Sequence, residues 1–240
     1  MRDMSDTTCI AQKPRPKVFR VVFAAGVAAL IFLGFIRTQG RGGAPGHFTL
    51  APLYLAQAAV MVLWLAYYVL QVWLAASGRI ALHKRIGLYG FGLAGVLALS
   101  GSMLAVESAR AVDGGTATLE ALAIPLGDTA VFSALTLAGF VLREEGGYHK
   151  RYMQLAMLGI LPSALGQLPL PWGLAQSPYG IFGVADLFIL AFVLTDVFRK
   201  RRLHPAFVWG FALILLSEPG RCLLARTQHW HRLAAWLTRG

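Results

Sequence analysis

The chain has 240 residues, of which 57% are hydrophobic and only 14% charged, with a mean hydropathy of +0.60. An ordinary soluble domain carries roughly 25% charged residues, and several runs here are long enough to cross a ~30 Å hydrocarbon layer, so composition excludes a soluble fold and predicts an all-α, polytopic membrane bundle. The net charge of +11 does not point to nucleic acid, because no basic module with interleaved aromatics accompanies it; in a membrane protein Lys and Arg collect on the cytoplasmic side and meet anionic lipid headgroups.

Taken in chain order, residues 1–17 read as a basic cytoplasmic tail and 18–36 as a first span. That apolar run is longer than a signal-peptide core and lacks a small-x-small cleavage site, so it is expected to be retained. A second span is predicted over 50–75, carrying Gln57 in "LAQ" and an aromatic group, Trp64, Tyr67 and Tyr68, expected to pack within the bundle. "ALHKRIG" then leads into a third span, 86–106, with Gly90, Ala94, Ala98 and Ser102 on one small-residue face suited to close helix packing. Glu107 closes it. A fourth span, 122–142, carries Asp128 in "LGD".

"GYHKRYM" leads into the fifth span, 152–170, which brings Gln167 and ends in the proline-rich "LPSALGQLPLPWG". The sixth, 179–198, carries Asp186 in "VAD". "RRLHPAF" precedes the seventh, 205–224, where Pro205 fits the first helical turn because its missing N–H would have no partner there. This span contains "SEPG" (217–220), with Glu218 and, three residues later, Arg221. A proline and a glycine inside it are expected to loosen its hydrogen bonding. Residues 226–240, "HWHRLAAWLTR" among them, read as an amphipathic interfacial tail. The architecture is thus one helix followed by three helical hairpins.

Lysine and arginine set the orientation. With seven spans, 15 of the 22 basic residues fall on the side of the N-terminus, which predicts N-terminus in and C-terminus out in a bacterial inner membrane. Lys84, Arg85, Lys150, Arg151, Arg201 and Arg202 are expected to snorkel to anionic headgroups. Cys9 and Cys222 fall on opposite sides and are not expected to pair.

Two polar groupings follow. At the cytoplasmic ends, His83, His149 and His204 each open the second helix of a hairpin, at one depth. Three imidazoles so placed could hold a metal or relay protons, although the adjacent Lys and Arg repel a cation. Haem would be restricted to the membrane surface, because no histidine falls inside a predicted span. In the opposite leaflet Gln57, Asp128, Gln167, Asp186, Glu218 and Arg221 share one slice, ~10 Å below the surface at 1.5 Å per residue. Ionisable groups at that depth are costly unless paired, so they are expected to face the interior, as a structural network or as a substrate or proton site.

Other chemistries are excluded by what is missing. The lysines are Lys13, Lys17, Lys84, Lys150 and Lys200, so the seventh span offers none for a retinal Schiff base. GxSxG, HExxH and a Walker loop are absent. A seven-helix metal hydrolase would bring histidines and an aspartate into one cavity, whereas here they fall at opposite faces.

"GRIALHKRIG", "IPLGD", "YHKRYMQLAML", "GVADLF" and "RLHPAFVWG" resemble, over about 50–224, a group of bacterial seven-helix inner-membrane proteins with H-[KR]-R hairpin starts and no assigned activity. Members carry His-Gly near the start of the second helix; this chain has Ala56 and Gln57 there, so the resemblance brings no outer metal site to it. It implies fold and location rather than a reaction. The sequence therefore reads as an integral inner-membrane protein without a recognisable catalytic motif. It is expected to be a small transporter or sensor-like bundle, or an accessory subunit contacting other membrane subunits. No cofactor is predicted in that reading; the alternative is a haem- or metal-binding membrane oxidoreductase.

Overall fold

The computed structural model describes residues 18–40, 47–112 and 115–239. The predicted tail of residues 1–17, with Cys9, lies outside them. Among the described residues the chain is helical throughout, without strands: α1 (Val18–Gly40), α2 (His47–Ala76), α3 (Ile80–Arg110), α4 (Gly115–Ala121), α5 (Ala123–Val141), α6 (Gly146–Gly159), α7 (Leu161–Leu165), α8 (Pro178–Lys200), α9 (Pro205–Ala225) and α10 (Gln228–Thr238), with a 3-10 turn at Pro171–Gln176.

Among the described residues six segments are long and apolar enough to cross a membrane: Val18–Arg37, Pro52–Ala76, Ile80–Arg110, Gly115–Val141, Pro178–Lys200 and Pro205–Ala225. The remaining predicted span, 152–170, exists as two shorter helices, α6 and α7. Pro162 is the cause of the division. Its nitrogen has no hydrogen to give to the carbonyl of Leu158, and its ring crowds the preceding turn. The polar start of α6 also has a physical reason. Arg151, Tyr152 and the whole of Leu155–Gly159 are buried, so α6 is enclosed by protein rather than by lipid.

α6 packs against α5 and α9, and also touches α1 and α8. The core around it is built from Trp64, Phe132, Leu135, Leu155, Met157, Leu158, Leu161, Ile189 and Phe207. Trp64 meets Phe132 edge-on at 5.4 Å and directs its indole N–H at the Met157 sulfur, 3.2 Å away. Tyr67, also on α2, donates to the carbonyl of Ile86 on α3, and its ring fills the space beside Gly90. The small-residue face of α3 therefore serves packing within the chain. Gly34 does the same for α1: a Cβ there would collide with the Ala164 backbone of α7.

Two expectations are modified. Pro219 does not break α9, which runs unbroken to Ala225 with Pro219 and Gly220 on its exposed side. The tail beyond residue 226 forms α10, which docks onto α4 through Trp230 and Ala234, both buried, and through a hydrogen bond from the Trp230 indole to the Leu119 carbonyl (2.7 Å).

Candidate functional site

The polar slice of the sequence separates into two linked groups. In the first, Asp128 of α5 accepts from Arg221 of α9 through Oδ1 and from the Ser163 hydroxyl of α7 through Oδ2. Arg221 also reaches the Ser217 hydroxyl (3.0 Å), the Ser217 carbonyl (3.3 Å) and the Ile124 carbonyl (3.4 Å), and its guanidinium lies 5.0 Å from the Phe182 ring centroid. The side chains of the pair are only 3% and 5% exposed. Full charges survive such burial when the remaining donors and acceptors are also satisfied. Gly127 makes room, since a Cβ there would lie 2.9 Å from Arg221 Cδ.

In the second group, the carboxyl groups of Asp186 on α8 and Glu218 on α9 face each other. Among the described residues Asp186 Oδ1 and Glu218 Oε1 are buried with no hydrogen-bond partner. Two facing carboxyl groups can hydrogen-bond to each other only through a proton.

Gln57 is buried on α2 and accepts from the Ser100 hydroxyl of α3 at 2.5 Å. Gln57, Asp128, Ser163 and Gln167 line one cavity of about 620 Å³ between α2, α3, α5, α7 and α8. The structure thus brings Gln57, Asp128 and Gln167 to one cavity and joins Arg221 to Asp128. Asp186 and Glu218 pair with each other away from its wall. Glu107 takes a surface partner, Arg110, at 2.6 Å.

At the opposite, basic end of the bundle, His83 and His149 come together with ring centroids 5.9 Å apart. Each places Nδ1 against a backbone carbonyl of the preceding long helix, Gln71 at 3.2 Å and Gly139 at 2.7 Å. An imidazole contacting a carbonyl through Nδ1 carries its proton there and leaves Nε2 free to accept. α3 starts at Ile80 rather than at 86, so His83 lies inside the helix. His204 does not join the pair. It caps α9, Nδ1 accepting from the Ala206 N–H, and stacks edge-on with Tyr148 at 4.6 Å. Burial, followed by the nearby Arg151 and Lys200 charges, lowers its pKa below 6.5. Among the described residues no three His, Cys, Asp or Glu side chains gather as a metal ion requires, so the three-histidine ligand set is not assembled.

Arg151 is a further correction. It is 2% exposed, donates to Asp196 and to the Gly147 carbonyl (2.7 Å), and lies over the Phe207 ring. It cannot reach a headgroup. Asp196 holds Lys200 as well (3.3 Å). Lys84, Arg85, Arg201 and Arg202 are exposed. Lys150 is half-buried, and burial together with Lys200, Arg151 and Arg20 pushes its pKa down to about 7.

Sequence reasoning missed Ser163, Ser217 and Asp196. Asp196 had a signal, its i,i+4 spacing to Lys200. Ser217 had one too, a single turn before Arg221. Ser163 had none, because its partner lies 35 residues away.

Over 103 residues the chain is 36% identical to NADH-quinone oxidoreductase subunit 14 of Thermus thermophilus. The match covers 42% of this chain and 23% of that protein, so this chain matches less than a quarter of the relative's length. No family model and no solved structure matches the chain.

Proposed function

We propose that the chain is a membrane subunit of a multi-subunit membrane complex, without a catalytic centre of its own. It lies in a bacterial inner membrane with its N-terminus and basic face in the cytoplasm, α6 and α7 together forming a further crossing. The observation that carries this reading is the stretch of 36% identity to a protein numbered as the fourteenth subunit of an oxidoreductase, hence to a component of a large assembly. The excess of Lys and Arg on one face supports the orientation. Tagged protein extracted from its native membrane in mild detergent is expected to run in a large particle on native gels, with the same membrane proteins in fixed ratio. Asp128→Asn and Asp186→Asn variants should retain those partners. A chain that runs alone at 26.0 kDa plus its detergent would overturn the reading.

One observation favours a second reading, a small proton-coupled transporter. The Asp186–Glu218 pair places two facing carboxyl groups, each with an unpartnered oxygen, within membrane-spanning helices, as a proton-exchanging site requires. In reconstituted vesicles that reading predicts a pH-driven flux abolished by Asp186→Asn.

A further inference from the structure

The basic face holds a second cavity, of about 870 Å³, enclosed by α1, α2, α3, α5, α6 and α8. Ligand sites span roughly 300–1,000 Å³. Its chemistry changes along its length. Trp64 and Phe192, two or more turns inside their helices, wall the part nearer the bundle centre, and Arg20, Arg85, Lys150 and Arg199 surround the part at the helix ends.

Among the described residues none of those four cations has a carboxylate partner. The acids lining the cavity are Glu144 and Asp196. Glu144 is held by Lys84 at 3.2 Å and Arg143 at 3.7 Å, and Asp196 by Arg151 and Lys200. The wall also contains two polar atoms without partners: Thr136 Oγ1, on a side chain 3% exposed, and Gln71 Oε1. The buried Thr136 hydroxyl has a proton to give to an anionic oxygen, and a group of cations without partners is costly unless an anion joins it.

We propose that this cavity binds one phosphate-headed lipid, its head among Arg20, Lys150 and Arg199 and its hydrocarbon tail along Trp64 and Phe192. A phosphate accepts from several cationic donors at once, and the cations here come from three different helices, α1, α6 and α8. The aromatic half has no use for a free inorganic anion, which distinguishes a lipid from phosphate alone. The crowding of Lys150 by Lys200, Arg151 and Arg20 is the condition that a bound anion would relieve. The proposal is independent of the assembly reading above.

The test is thermal unfolding of the full, delipidated chain in a neutral detergent, titrated with oleoyl lysophosphatidic acid, oleoyl lysophosphatidylcholine or inorganic phosphate. The expected result is a saturable rise in Tm with lysophosphatidic acid only. Arg20→Gln/Lys150→Gln should weaken half-saturation at least about tenfold, at roughly 1 kcal/mol for each basic residue, and Arg202→Gln, outside the cavity, should not. Lys150→Gln removes repulsion and so should fold. In the unmutated chain a brominated tail should quench fluorescence that Trp64→Phe removes. An equal response to lysophosphatidylcholine or to phosphate alone, equal weakening by Arg202→Gln, or quenching that persists in Trp64→Phe would each overturn the proposal.

Discussion

Arg221 on α9 is ion-paired with Asp128 on α5 and leaves Glu218, three residues away on its own helix, to Asp186 on α8. The choice follows from crossing geometry. Residues at i and i+3 share a helix face, so Glu218 and Arg221 both point into the bundle, where α5 and α8 present one carboxylate each. Cross-helix pairing ties α9 to both neighbours, and it divides the buried layer into a charged pair and a pair of facing carboxyl groups.

Removing one member of the charged pair leaves the other buried and alone. Asp128→Leu and Arg221→Met are each expected to lower stability by about 3–5 kcal/mol. The double replacement Asp128→Leu/Arg221→Met should recover most of that loss, because no uncompensated charge remains. Denaturant unfolding of the four proteins in one detergent gives the cycle; additive losses would mean that the two residues do not act as a pair.

At the second pair, Glu218→Gln preserves a donor toward Asp186, whereas Glu218→Leu removes it. Stability is expected within about 1 kcal/mol of the parent for the first and about 1–3 kcal/mol lower for the second. Infrared spectra should show a protonated carboxyl band in the parent that is missing from Glu218→Gln and Asp186→Asn. Persistence of the band in both variants would place the proton elsewhere.

Much of this was legible in the sequence, and the rest was hidden for definite reasons. Hydropathy located the long helices because a span must be continuously apolar. Over 152–170 the structure has two shorter helices in place of one continuous span, since a helix enclosed by protein need not be apolar all round and Pro162 cuts it. The polar layer was legible from the cost of burying Asp128, Asp186 and Glu218, but not the pairing, which depends on helix rotation. Arg151 was read as a headgroup contact because its partner, Asp196, is 45 residues away and looked like one more charge at a helix end.

Gly26 and Gly34 of α1 should behave oppositely. A Cβ at Gly34 would strike the backbone of Ala164, which cannot rotate away, while a Cβ at Gly26 has nothing within 4 Å. Gly34→Ala should destabilise by about 1–3 kcal/mol through overpacking. Gly26→Ala should be neutral or stabilise by up to about 1 kcal/mol through helix propensity. Parallel thermal unfolding of the two variants checks the α1–α7 contact; equal behaviour would argue against it.

Lys150 gives the fold a pH signature. In the folded chain it faces Lys200 from α8, Arg20 from α1 and Arg151 from α6, with Asp196 already occupied, and its pKa is pushed from 10.5 down to about 7. Between these values the unfolded chain binds a proton that the folded chain does not. Stability therefore increases as pH rises from about 7 toward 10.5 and declines as pH falls back through 7. His204, lowered below 6.5, acts in the same direction in a lower window: its contribution is present above 6.5 and is lost as pH falls through its folded pKa. Unfolding measured from pH 6.5 to 10 should show this slope in the parent and a shallower one in Lys150→Gln, which should also be the more stable of the two at pH 6.5. Identical slopes would mean that Lys150 stays charged in the folded chain and that the cations around it are screened.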